Sequence, residues 1–195
     1  MRAWSSRWLG TILLLAGIAL ILASLGQYGY MWVRQHQLRQ RWQHINTPVQ
    51  AAGQVRAASA DSPLRLLIPS IHLDDVVVRG TSYEDLLVAP GLLEGSPLPG
   101  GGNTVIAGHR DTFFRHVSDL GPGDAIEVRS GGQEFDFVVT GQAIVQADQV
   151  SVLANTAAPR LTLVTCYPTY WIGPAPKRLI VEAELAASGP VAIHR

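Results

Sequence analysis

Cys166 is the only cysteine in this 195-residue chain, and it closes the run LTLVTC immediately before Tyr167-Pro168. A thiol is inert when buried among apolar groups. As a thiolate beside a cation it becomes a strong nucleophile. Strand alternation puts Leu161, Leu163 and Thr165 on one face and Thr162, Val164 and Cys166 on the other. Pro168 cannot donate to a sheet ladder, so the chain turns away just past Cys166 and the thiol has a route to solvent. His109 occupies the same kind of place at the end of TVIAGH, where Gly108 permits close approach of another backbone or a substrate. Arg178 opens the run RLIVEAEL, the next strand-like segment after Cys166. Only the thiolate attacks, and an imidazolium or guanidinium nearby would stabilise it; an arginine fork could also hold substrate carbonyl groups or a developing oxyanion. The chemistry on offer is nucleophilic catalysis by a thiolate. Taken one at a time, a buried thiol, a capping histidine and a strand-edge arginine are the commoner fates of such residues.

Other conspicuous residues have plainer readings. His72 falls in a turn, and His116 lies in a segment that suits a short helix. Asp111 fits the start of that helix better than it fits an imidazole partner. Tyr167, Tyr170 and Trp171 form an aromatic stretch after Cys166 that would either wall a peptide groove or cover one end of the fold. Asp74, Asp75, Glu84 and Asp85 lack the spacing of a calcium loop. A lone cysteine rules out an intramolecular disulfide and the usual cysteine-histidine zinc clusters. Neither a metal nor a cofactor is expected.

The elements that must position these residues read as short strands divided by glycine and proline. LRLLIPS (64–70) and LDDVVVRG (73–80) are strands about a turn, and SYEDLLVAPG is a short helix capped by Ser82. LEGSPLPGGGN (93–103) is a loop, TVIAGH a strand, and DTFFRHVSDL (111–120) a short helix begun by Asp111. AIEVRS and EFDFVVTGQAIV form a hairpin across Gly131-Gly132, and RLTLVTC and RLIVEAEL are two further strands. Many short strands with one-turn helices between them predict a mostly β domain, a single closed or nearly closed β-barrel.

Ahead of that domain, Trp8–Leu25 is an uncharged apolar run of 18 residues, the lower end of what spans a bilayer. Trp4 and Trp8 precede it and Tyr28, Tyr30 and Trp32 follow it, as two headgroup belts require. An uncleaved transmembrane helix fits better than a cleaved signal, because the run exceeds the usual signal core and no A-x-A site follows. Arginines flank it on both sides (Arg2 and Arg7; Arg34, Arg39 and Arg41), so charge alone leaves the orientation open. The expected division is 1–32 anchor, 33–61 stalk, 62–187 catalytic domain and 188–195 tail. Net charge is zero, with 15 basic and 15 acidic residues, which gives no sign of a nucleic-acid partner.

In combination, VIAGHRDTFF, TLVTCYP and KRLIV, in this order, resemble the sortase family. The histidine precedes the cysteine by 57 positions (166 − 109) and the arginine follows it by 12 (178 − 166), both of which suit that family. The resemblance covers roughly residues 64–186. It implies a barrel of about eight strands, one N-terminal span, and a catalytic domain on the extracytoplasmic side of the plasma (inner) membrane. It further implies a cysteine transpeptidase that cleaves an LPxTG-like C-terminal sorting signal of a secreted protein through a thioacyl enzyme. The acyl group would then pass to an amine acceptor at the cell surface. Carried onto this chain, Cys166 is the nucleophile, His109 the proton carrier, and Arg178 the group that positions the signal and stabilises the oxyanion. Thr165, Tyr167 and Trp171 are candidate substrate contacts. The compact domain is class D-like, and its composition is similar to that of sortases from Gram-negative bacteria.

Two rival readings stand beside this one. An L,D-transpeptidase would carry an S-x-G-C motif, whereas Val164-Thr165 precede Cys166 here, and a papain-like enzyme would place its cysteine before its histidine. A membrane-anchored β-barrel binding module with a structural thiol would leave Cys166 unreactive.

Overall fold

A computed structural model of the chain describes residues 2–46 and 63–186. Helix α1 (Arg2–Asn46) leads into a barrel built from β1 (Leu64–Ile68), β2 (Leu73–Arg79), β3 (Gly91–Leu92), β4 (Asn103–Gly108), β5 (Ala125–Ser130), β6 (Gln133–Gln146), β7 (Arg160–Tyr167) and β8 (Lys177–Leu185). A short helix α2 (Tyr83–Val88) joins β2 to β3. The order around the closed barrel is β1-β2-β3-β4-β7-β8-β6-β5, and β5 pairs back onto β1. Two of the pairings are parallel, β2 with β3 and β4 with β7. The long connections that parallel neighbours require are the segments available to build a site.

Period-2 patterning explains the barrel. In β1, Leu64, Leu66 and Ile68 are buried while Arg65 and Leu67 face outward. Their inward partners include Ile106, Ile126, Phe137, Leu161, Leu163 and Val181, which form one continuous core. Helix α2 begins at a complete capping box, since Ser82 accepts from the Asp85 amide and the Asp85 carboxylate accepts from the Ser82 amide. Two features depart from the sequence expectation. Strand β3 has only two residues, too few to show a period. Residues 111–120 do not form a regular helix; they fold as turns ending in a 3-10 helix at Val117–Asp119. The carbonyl of His109 accepts from the amides of Thr112 and Phe114, which tightens the chain and drives Phe114, Val117 and Leu120 into the core. Asp111 therefore heads a turn and not a helix.

Helix α1 continues without interruption from the apolar run through residues expected to begin the stalk. The later stalk, the expected start of the barrel domain at Ser62 and the C-terminal tail lie outside the described residues. Among the described residues, α1 is the one helix long and apolar enough to cross a membrane. Its C-terminal half packs on β2: Gln35 Nε2 donates to the Val76 carbonyl at 3.3 Å, and Arg39 meets the Asp74 carbonyl and the Asp75 carboxylate. Arg65 grips Asp74 bidentately, with both contacts at 2.7 Å, and its guanidinium lies 4.9 Å from the centre of the Trp42 ring.

Candidate active site

Strand register brings the three candidate residues to one end of the barrel. Strands β4 and β7 run parallel, with Gly108 opposite Thr165. The next residue on each is His109 and Cys166, so histidine and cysteine leave neighbouring strands at the same level. On the other side of β7, Cys166 is paired directly with Arg178 of the antiparallel β8. Directly opposed residues project from the same face of a sheet, and adjacent strands lie about 4.8 Å apart. Cys166 thus lies in register between the strand that ends just before His109 and the strand that carries Arg178. It is only partly buried, which leaves a reagent or a substrate a way in.

Each of these positions is braced. Thr165 Oγ1 donates to the Gly108 carbonyl at 2.8 Å, tying the ends of β4 and β7 together one residue before the site. Gly108 has no room for a side chain, because a Cβ there would come within 2.6 Å of the buried Phe114 ring. Arg178 Nη1 donates to the carbonyls of Ala175 at 3.1 Å and Lys177 at 2.9 Å, which fixes one edge of its guanidinium. The ring of Tyr83, the first residue of α2, meets the His109 ring edge-on at 6.1 Å. Below the site, Asn103 is a buried hub. Its Oδ1 accepts from Thr162 Oγ1 at 2.7 Å, its Nδ2 donates to the Ala154 carbonyl, and its amide donates to Asn155 Oδ1. That hub fastens the β6–β7 connection to β4.

The structure separates the three candidate substrate contacts. Thr165 is buried, and its hydroxyl is committed to Gly108. Tyr167 packs against the core on the barrel side of β7, the face away from Cys166. Trp171 is half-exposed on the β7–β8 loop, with its indole Nε1 donating to the Pro174 carbonyl. His116 pairs with Asp119 at the surface, and His72 ends a 3-10 turn in the left-handed conformation. Among the described residues no group of acidic, histidine or cysteine side chains is placed to hold a metal. Two neighbours of the site escaped sequence reasoning. Tyr83 carries no local signal of its meeting with His109. Arg110 stands in the quoted run VIAGHRDTFF, and its attachment to the β7–β8 loop emerges only in the fold.

The family model for the Sortase domain matches residues 66–186, most of the chain and the whole of this constellation. The chain belongs to the sortase family. Its sortase domain is 36% identical over 118 residues to Sortase D of Bacillus subtilis (strain 168), a match that covers 60% of this chain and 60% of that relative's length. Among solved structures, sortase C from Clostridium perfringens SM101 aligns with a TM-score of 0.59 at 26% identity, covering 80% of this chain and 90% of that one. A Clostridium perfringens Sortase D5 transpeptidase shares the fold at a TM-score of 0.62 and 21% identity, covering 79% of this chain and 96% of that one.

Proposed function

We propose that this sortase is a membrane-anchored cysteine transpeptidase, with Cys166 as nucleophile, His109 as proton carrier and Arg178 as oxyanion and substrate anchor. The observation that carries the reading is the register itself: Gly108 opposite Thr165 and Cys166 opposite Arg178. In the first step the Cys166 thiolate attacks the scissile peptide carbonyl, and its oxygen takes negative charge against Arg178. The carbon–nitrogen bond then breaks, the leaving amine takes a proton from the His109 imidazolium, and a thioester remains. An incoming amine gives its proton to the neutral His109 imidazole as it attacks the thioester. The carbon–sulfur bond breaks and the thiolate returns. No cofactor enters this cycle.

The substrate in this reading is a secreted protein bearing an LPxTG-like C-terminal sorting signal, and the acceptor is an amine at the cell surface. Helix α1 supports a single-span anchor; membership of the sortase family is what favours the barrel lying on the extracytoplasmic side of the plasma membrane. In this reading residues 1–32 are the anchor, 33–61 the stalk, 62–187 the catalytic domain and 188–195 the tail, with α1 running on into the first part of the stalk.

The test uses the full chain in detergent with a mixed library of LPxTG-like peptides, followed by intact-mass spectrometry. The expected result is an acyl adduct that is absent from Cys166→Ala and is discharged by an added amine. An adduct cleared equally fast by water would make the enzyme a hydrolase. A Cys166 that neither acylates nor reacts with iodoacetamide would sink the reading.

A further inference from the structure

Arg110 follows His109 directly, yet both terminal nitrogens of its guanidinium reach the loop after β7. Nη1 donates to the Pro168 carbonyl at 3.2 Å, and Nη2 donates to the carbonyls of Trp171 at 2.8 Å and Gly173 at 2.9 Å. One side chain therefore gathers three carbonyls of the loop that leaves β7 just after Cys166. Besides these bonds, the Trp171 indole Nε1 donates to the Pro174 carbonyl within the same loop. Tyr170 and Ile172 are 89% and 100% exposed, so their side chains contribute almost no burial. Its later part is held separately, by the two bonds from Arg178 to Ala175 and Lys177. A planar fork with several fixed donors suits this task, and a lysine ammonium does not.

We infer that Arg110 is a positioning residue: it clasps residues 168–173 against the end of β4 and thereby shapes the wall along which the acyl-donor peptide lies beside Cys166. This rests on the transpeptidase reading for the peptide, but not for the clasp. Because Arg178 keeps its own hold on Ala175 and Lys177, releasing Arg110 frees the early half of the loop and leaves the oxyanion side in place. The consequence is a loss of peptide binding with little loss of chemistry.

The experiment compares the full chain with Arg110→Gln and Arg110→Lys in detergent, by hydrogen–deuterium exchange and by steady-state turnover of an LPxTG-like peptide. Arg110→Gln is expected to speed amide exchange in 168–173 while β4, β7 and β8 keep their protection. KM should rise by about tenfold with kcat within about twofold, the pattern of lost uniform binding. Arg110→Lys, which keeps the charge and loses the fork, is expected to fall between the two. Unchanged exchange in 168–173, or a fall in kcat at constant KM, would overturn the inference. Exchange raised throughout the barrel in Arg110→Gln but not in Arg110→Lys would make the residue structural and overturn it too. If the wild-type chain turns over no peptide, the transpeptidase reading fails together with the affinity half of the inference, and the exchange data decide the clasp alone.

Discussion

Cys166 and Arg178 face each other across the antiparallel pair of β7 and β8, and the arginine already spends one nitrogen on the loop carbonyls of Ala175 and Lys177. Two bonds from one nitrogen hold the guanidinium plane, and the proposed mechanism assigns its remaining donors to substrate. A lysine has no such plane. Arg178→Lys is therefore expected to lower kcat/KM about 100-fold, the scale of losing an oxyanion donor. Steady-state turnover of a peptide that acylates Cys166 measures it, and a loss under about threefold would remove Arg178 from the chemistry.

Thr165 links the two strands that carry His109 and Cys166. Thr165→Val keeps the shape and deletes the donor to the Gly108 carbonyl, at an expected cost of about 1–2 kcal/mol. Thr165→Ser keeps the hydroxyl and should recover most of it. Urea midpoints for the two variants provide the comparison.

Gly108 is the close contact beneath His109. Adding a methyl there drives it against Phe114, with an expected loss of about 1–3 kcal/mol for Gly108→Ala. Because one ring is the obstacle, the penalty should shrink in a Phe114→Leu background. A double-mutant cycle on unfolding free energies would show the coupling, and additive costs would point to another obstacle.

Asp74 and Asp75 are neighbours with opposite pH behaviour. The hydrogen bonds from Arg65 are the main cause holding the Asp74 carboxyl below its ordinary value of 3.8. Burial is the main cause pushing Asp75 above the same value, in spite of Arg39. Asp74 thus binds its proton more weakly in the folded chain, so its stabilisation is present above about pH 4 and is lost as pH falls through the folded value. Because Asp74 is part-exposed, Asp74→Asn should cost only about 0.2–1 kcal/mol at neutral pH, fading in acid. Asp75 works the other way: stability from that site declines as pH rises from 3.8 through its folded value. Asp75→Asn should flatten that decline. Thermal melts of both variants between pH 3 and pH 7 would test the signs.

The strands were legible in the sequence wherever a run was long enough to show its period and a glycine or proline marked its end. That covers TVIAGH and LTLVTC, and with them the placement of His109 and Cys166 at strand ends. Strand β3 escaped because two residues have no period. The 111–120 segment carries helix-like spacing, but two amides captured by the His109 carbonyl and the pull of Phe114 into the core outweigh local propensity. Tyr167 followed strand alternation to the core side, whereas its place in the sequence leaves groove wall and barrel-end cover equally open. The partners of Arg110 are main-chain carbonyls, which any residue supplies, so no pattern of side chains could announce them.

Helix α1 passes from Trp8–Leu25 to its seat on β2 without a break. A helix rises about 1.5 Å per residue, so Gln35 and Arg39 stand roughly 15–21 Å beyond the last residue of the apolar run. With that run in a bilayer, the barrel is mounted on a short rigid post and cannot swing on a long tether. Its thiol would sweep a thin layer close above the lipid, and its encounters would be those of lateral diffusion. A partner held at the same membrane would be met often; one free in bulk solution would seldom be met.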